Sequence, residues 1–202
     1  PAPRFETSRR LSFAELFRIS PLGVVGMLLA GGIFSAMFGM ASVWGTLEGL
    51  SVREISIFIG ALYVGGLLLQ YPVGWASDRM DRRQLILGLA VVAGALMAVT
   101  VLLQPGFGGL IVVALLLGGI TNPVYSLLIA YTNDFLGHED MAAASAGLLF
   151  MNGLGAIGGP LVTGWIMAQT GPQGFFLFIG LLYAGLARYA GGRTTRRAAP
   201  AR

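Results

Sequence analysis

The sequence predicts an all-α membrane protein whose six transmembrane helices form two three-helix units of opposite topology. Three observations lead there. Only 11% of the 202 residues are charged and 55% are hydrophobic, against about a quarter charged in a soluble domain. Six uncharged apolar stretches alternate with short polar or Pro/Gly turns. The second and fifth stretches also resemble each other although they run in opposite directions. The 31 glycines suit this solvent, because small residues let membrane helices approach closely.

Residues 1–20 are polar and basic, with Arg4, Arg9, Arg10 and Arg18. The weakly amphipathic run Leu11–Phe17 predicts a short interfacial helix at the end of a cytosolic linker. A bundle over residues 21–190 follows. Its first span is the uncharged Leu22–Leu47, and the turn after it offers Ser51 and Glu54 at capping-box spacing. The second span runs from Ile55 to about Ala76, the third from Gln84 to Leu103, and the fourth from Leu110 to Asn133. A polar loop with the lone His138 precedes the fifth span, Met141–Ala168. The sixth runs from Gly174 to about Ala187, and residues 191–202 form a basic tail. The chain does not begin with Met and shows no signal peptide, so a fragment or processed piece is expected.

Arginine sets the orientation, since the chain has no lysine. Four arginines precede the first span, three lie in the 79–83 link and five follow the sixth span, leaving only Arg53 on the other side. The positive-inside rule then puts both termini, the 79–83 link and the 134–140 loop in the cytosol. A nucleic-acid reading of the same basicity fails, because the arginines sit at helix ends and not in one patch. Cysteine is absent, which excludes a disulfide, a thiol nucleophile and a thiolate metal site. A single loop histidine makes a poor metal ligand, so no metal or cofactor is expected. With no His/Asp/Glu cluster, catalytic residues are not expected either.

Laying the fifth span over the second matches Gly60 with Gly147, Leu62 with Leu149, Gly66 with Gly153 and Leu67 with Leu154. Two inverted three-helix repeats would produce this match, and so would chance in Gly-rich sequence.

The link between the second and third spans holds Gly74-x-x-x-Asp78-Arg79-x-x-Arg82-Arg83. It resembles the signature loop of the major facilitator superfamily, Gly-x-x-x-Asp-Arg-x-Gly-Arg-Arg/Lys. The segments Asn122–Asp134 and Gly153–Pro160 are similar to helices ten and eleven of bacterial members. The resemblance covers nearly the whole chain and implies the C-terminal half of a secondary transporter, spans seven to twelve, in a bacterial inner membrane. It further implies a gating latch made of Gly74, Asp78, Arg79, Arg82, Arg83 and Asp134. Asp81 departs from the pattern, standing where the family usually has Gly, so the turn is expected to be looser or capped differently. A solvated, positive-inside anchor is the alternative role for the loop's charges.

Helical phase puts Asn122, Tyr125, Ser126 and Asn133 in one stripe, expected to line a substrate cavity together with Asn152 of the fifth span. Interhelical hydrogen bonding is the competing role for such residues. Gly155-x-x-x-Gly159-Pro160 resembles the small-residue motif of antiporters, although plain helix packing suits its glycines. No Asp, Glu, Lys, Arg or His lies deep in any span, so if transport is proton-coupled the coupling carboxylate is expected in an N-terminal half. The implied partners are the lipid bilayer, a small-molecule substrate, and either that N-terminal six-helix half or another membrane subunit. A non-transporting membrane subunit or assembly factor that keeps the half-fold is the alternative function.

Overall fold

The structure is a computed structural model that describes residues 11–194, with side chains to Gly192. Arg4, Arg9, Arg10, Arg196, Arg197 and Arg202 therefore lie outside the described residues, and of Arg193 only the backbone lies within them. The elements are α1 (Phe13–Ile19), α2 (Pro21–Phe34), a π-helical segment (Ser35–Met40), α3 (Ala41–Leu47), α4 (Val52–Ser77), α5 (Arg82–Leu103), α6 (Phe107–Asn133), α7 (His138–Thr170) and α8 (Gly174–Thr194). The run from α2 through α3 is one span of 27 residues, and with α4 to α8 it makes six helices long and apolar enough to cross a membrane. The expected all-α, six-helix architecture is borne out. The sixth helix continues to Thr194, past the point where the sequence suggested a tail.

Local chemistry fixes the helix starts. Ser12 and Glu15 form a capping box on α1, and the box expected at Ser51 and Glu54 opens α4. Ser20 caps α2 by accepting the Gly23 amide at 3.2 Å, with Pro21 in the first turn where its missing donor costs nothing. The Ser20 hydroxyl also meets the Thr132 hydroxyl at 2.9 Å, which ties the start of α2 to the end of α6. The amphipathic α1 lies against α7, with Leu16 buried beside Gly147 and the Phe13 ring 5.1 Å from that of Phe150.

The spans pack as three close pairs: α4 with α6, α2 with α7, and α5 with α8. Glycines make two of these pairs close. A Cβ on Gly65 would overlap the Leu115 carbonyl, and one on Gly118 would overlap the Leu62 carbonyl across the same interface. In the α2–α7 pair, Gly31 faces the Asn152 carbonyl and Gly155 faces the Leu28 carbonyl in the same way. Each contact joins a glycine on one helix to the carbonyl three residues before its counterpart on the other. Exchanging span one with four, two with five and three with six maps the α4–α6 contacts onto the α2–α7 contacts and the α5–α8 pair onto itself. That exchange is the two-fold relation of an inverted repeat. Its register differs from the one sequence identity suggested: Leu62 corresponds to Asn152 and Gly65 to Gly155, three residues further on. Gly-on-Gly identity fits several registers, whereas only one brings glycines onto carbonyls.

Behind these pairs lies a mostly apolar core. Trp44 is fully buried among Phe58, Phe175 and Phe176, joining α3, α4 and α8 at the end opposite the 79–83 link. Deeper in, the buried Tyr183 hydroxyl meets Thr121 Oγ1 at 2.6 Å, and Thr121 lies 3.3 Å from the sulfur of Met37. This junction holds α8, α6 and the π-helical segment together.

Candidate functional site: the α4–α6 clasp and the face beside it

Arg82, the first residue of α5, reaches across the bundle. Its Nε donates to Ser77 Oγ at 3.3 Å, and its Nη1 donates to the Ala130 carbonyl at 3.1 Å and pairs with Asp134 Oδ1. Ala130 lies in the last turn of α6 and Asp134 is its C-cap, so the guanidinium sits at the negative end of the α6 dipole. One side chain thus ties the ends of α4, α5 and α6. Asp81 is the N-cap of α5, its Oδ1 accepting the Arg83 amide at 2.8 Å. The departure from the family pattern therefore has a local cause, since Asp and Gly are both favoured N-cap residues.

The other loop residues are placed differently. Asp78 is the exposed C-cap of α4, and Gly74 is exposed one turn before it, with open space around its Cα. Arg79 folds back, donating to the Trp75 carbonyl at 3.1 Å and lying 4.0 Å above the Trp75 ring, an arrangement suited to a membrane interface. Arg83 is buried.

Above the clasp a cleft of about 230 Å³ opens between α4 and α6, lined by Gln70, Gly74, Ser77, Asp78, Arg82 and Ser126 among others. A hydrogen bond of 3.3 Å from Gln70 Nε2 to Ser126 Oγ crosses its upper part. Pro123 lines the same cleft and Pro72 lies within α4, so both walls contain a helix turn that lacks a backbone donor.

The stripe of candidate cavity residues divides. Asn122 Nδ2 donates to the Gly118 carbonyl at 3.0 Å and packs where a Cβ on Gly66 would sit, within the α4–α6 contact. Asn152 donates to the Met27 carbonyl at 3.3 Å, within the α2–α7 contact. Asn133 is half-buried near the clasp, and its Oδ1 has no donor among the described residues. Ser126 is exposed, and Tyr125 is half-exposed with its ring edge-on to Phe34 at 5.7 Å. Gly155 lies against the Leu28 carbonyl of α2, Gly159 against the Gly32 carbonyl of α2 and the Ser35 side chain of the π-helical segment, and Pro160 lies near the place a Cβ on Gly39 would take.

Sequence reasoning missed Gln70, which was visible as a lone amide in the second span. Among the described residues no group of three or more His, Cys, Asp or Glu side chains is placed to hold a metal ion.

The chain resembles known proteins over most of its length. It is 29% identical over 184 residues to YfkF of Bacillus subtilis, which carries the name of an uncharacterized MFS-type transporter. It is 25% identical over 176 residues to a protein of the same description, YcaD, from Salmonella arizonae. Each of these alignments covers 87% of the chain, but only 46% and 44% of the relatives respectively, so the chain spans about half the length of the curated relatives it matches. No solved structure matches it. The model of the Major Facilitator Superfamily matches residues 22–198, which takes in all six spans, and the chain belongs to that superfamily.

Proposed function

We propose that these residues form one half of a secondary transporter that moves a small solute across a bacterial inner membrane by alternating access, with the clasp end in the cytosol. The single observation that carries this reading is the Arg82 clasp, which lies at one mouth of a cleft between two spans, each containing a proline. Gly74, Asp78, Arg79, Arg83 and Asp134 act with Arg82 as the gate, opening when the second half of the protein rocks away. Tyr125 and Ser126 face the solute path, while Asn122 and Asn152 hold the helices that border it. The relatives' length, about twice that of the matched region, supports a second six-helix half as the opposite wall.

Ser126 provides a test that needs no substrate. In the full-length protein, a unique thiol from Ser126→Cys should react with a membrane-impermeant maleimide from either side of the membrane. Adding Arg82→Gln should raise the cytosolic-side rate about fivefold, the population change expected from loss of ~1 kcal/mol of ion pairing. Labelling from one side only, under all conditions, would support the rival role of a non-transporting membrane subunit.

A further inference from the structure

A second cavity, of about 270 Å³, lies at the end of the bundle opposite the clasp. Each of the three turns at that end contributes one polar side chain to its lining: Glu48 after α3, Gln104 after α5 and Gln173 before α8. Among the described residues none of these three side chains is hydrogen-bonded or ion-paired. Phe107 and Phe176 line the apolar part. Phe176 is fixed from behind, its ring 5.0 Å from that of the buried Trp44, which also packs on Phe58 and Phe175. Gln104 differs from the rest of the chain in its backbone. It is the only non-glycine residue with positive φ among the described residues, at φ 45° and ψ 59°. Glycine is the usual residue in that left-handed position at a helix end, and an L side chain there bears a conformational cost. A cost of this kind points to a use for the side chain.

The whole lining sets the chemistry of the ligand. Glu48 is its one ionisable group. Helix ends of both signs meet there, the C-termini of α3 and α5 and the N-termini of α6 and α8, so their dipoles largely offset one another and the carboxylate decides the sign. Arg53 and Glu54, also at this end, sit in the first turn of α4 and outside the lining. Glu54 is occupied by the amide and hydroxyl of Ser51, and Arg53 is not ion-paired among the described residues. A primary ammonium group has three N–H donors, and Glu48, Gln104 and Gln173 offer it three oxygen acceptors. Phe107 and Phe176 cover a short carbon stem beside them. An anion would meet the Glu48 carboxylate, and a quaternary ammonium would leave all three acceptors without a donor.

We infer that this cavity is a binding site for a small primary alkylammonium ion, with Glu48 as its counter-ion. The site lies at the far end of the bundle from the clasp cleft and stands independently of the transporter reading. The probes are butylammonium, butyltrimethylammonium and butyrate, in ligand-observed NMR titrations of the purified full-length protein in detergent, with empty micelles as the reference. Butylammonium should bind saturably, butyltrimethylammonium about tenfold more weakly for want of N–H donors, and butyrate not at all. Glu48→Gln should weaken butylammonium binding about tenfold. Glu54→Gln removes a carboxylate at the same end but keeps the helix cap, and should leave binding unchanged. Gln104→Gly should weaken binding about threefold and raise the unfolding temperature, because the left-handed backbone suits glycine. That opposite movement of affinity and stability separates a ligand contact from a structural role. Absence of saturable butylammonium binding, or equal binding of the two cations, overturns the inference. Equal losses from Glu48→Gln and Glu54→Gln would mean attraction to general surface charge and overturn it as well, as would a Gln104→Gly variant that binds like the parent.

Discussion

Asp81 is bound by its own helix: its carboxylate takes the Arg83 amide at the start of α5, a donor that would otherwise be unsatisfied beside the membrane. That fixes the direction in which α5 leaves the turn, and with it the reach of Arg82 towards Ala130 and Asp134. Capping is thus a precondition of the clasp. Asp81→Ala should cost about 1 kcal/mol of stability, whereas Asp81→Gly should cost only a few tenths, since Gly is itself an acceptable N-cap. Thermal unfolding of the two variants in the same detergent would show this order, and an equal loss in both would mean that the carboxylate acts through some other contact. The signal was present in the sequence, because an Asp directly before a long apolar run is a helix-start mark. Of the two outcomes expected for Asp81, a looser turn or a different cap, the structure has the second.

Pairing of the elements depends on four glycines, Gly31, Gly65, Gly118 and Gly155, each seated on a carbonyl of the facing helix. Membrane helices gain little from apolar burial against one another, so close backbone approach and its dispersion and Cα–H···O contacts carry much of the association. Adding a methyl group there pushes the pair apart. Gly118→Ala or Gly31→Ala should cost about 1–3 kcal/mol, the usual range for overpacking a close contact. Gly60→Ala and Gly88→Ala should be neutral or slightly stabilising, since nothing lies within 4 Å of a Cβ there and Ala is the better helix former. Denaturation in mixed micelles measures the difference, and equal effects in the two classes would count against glycine-mediated pairing. At this scale the sequence was informative about the spans and poor about their faces. Hydropathy and the arginine-rich link marked every membrane helix, because burial in lipid is recorded in composition. The phase of the first span was hidden, since Ser35–Met40 is π-helical and turns later residues away from an α-helical projection. Ser42 and Thr46 lie beyond this segment, and Gly39 within it is exposed. Ser42 and Thr46 are exposed on α3, where Thr46 bonds to the Ser42 carbonyl. Arg82 was recognised as charged and near Asp134, but its bond to the Ala130 carbonyl depends on where α6 ends against α4, which no local pattern records.

For the whole molecule, the fold gives the two ends of the bundle different chemistry, and that difference decides how it sits in the membrane. Alternating helix direction places α1, the α4–α5 turn, the α6–α7 turn and the C-terminus of α8 at one end. Among the described residues, Arg18, Arg79, Arg82, Arg83 and Arg188 belong to this end, whereas Arg53 is the only arginine of the other. Moving the basic end outward across an energised membrane would carry several positive charges against the potential, at about 2.3 kcal/mol per charge for each 100 mV. This asymmetry supports the proposed placing of the clasp, and of the cleft mouth beside it, on the cytosolic side. The 202 residues contain no cysteine, so thiols introduced here report cleanly once any elsewhere in the full-length protein are replaced. Met80 in the α4–α5 turn and Val52 at the start of α4 are exposed at opposite ends, 48% and 83% respectively. Met80→Cys should react with an impermeant maleimide in inside-out vesicles and stay protected in right-side-out ones, and Val52→Cys should show the opposite pattern. The reverse result at both positions would invert the protein in the membrane and place the Arg82 clasp on the external mouth of the cleft, so that the gate assigned to the cytosol would govern exchange with the outside instead.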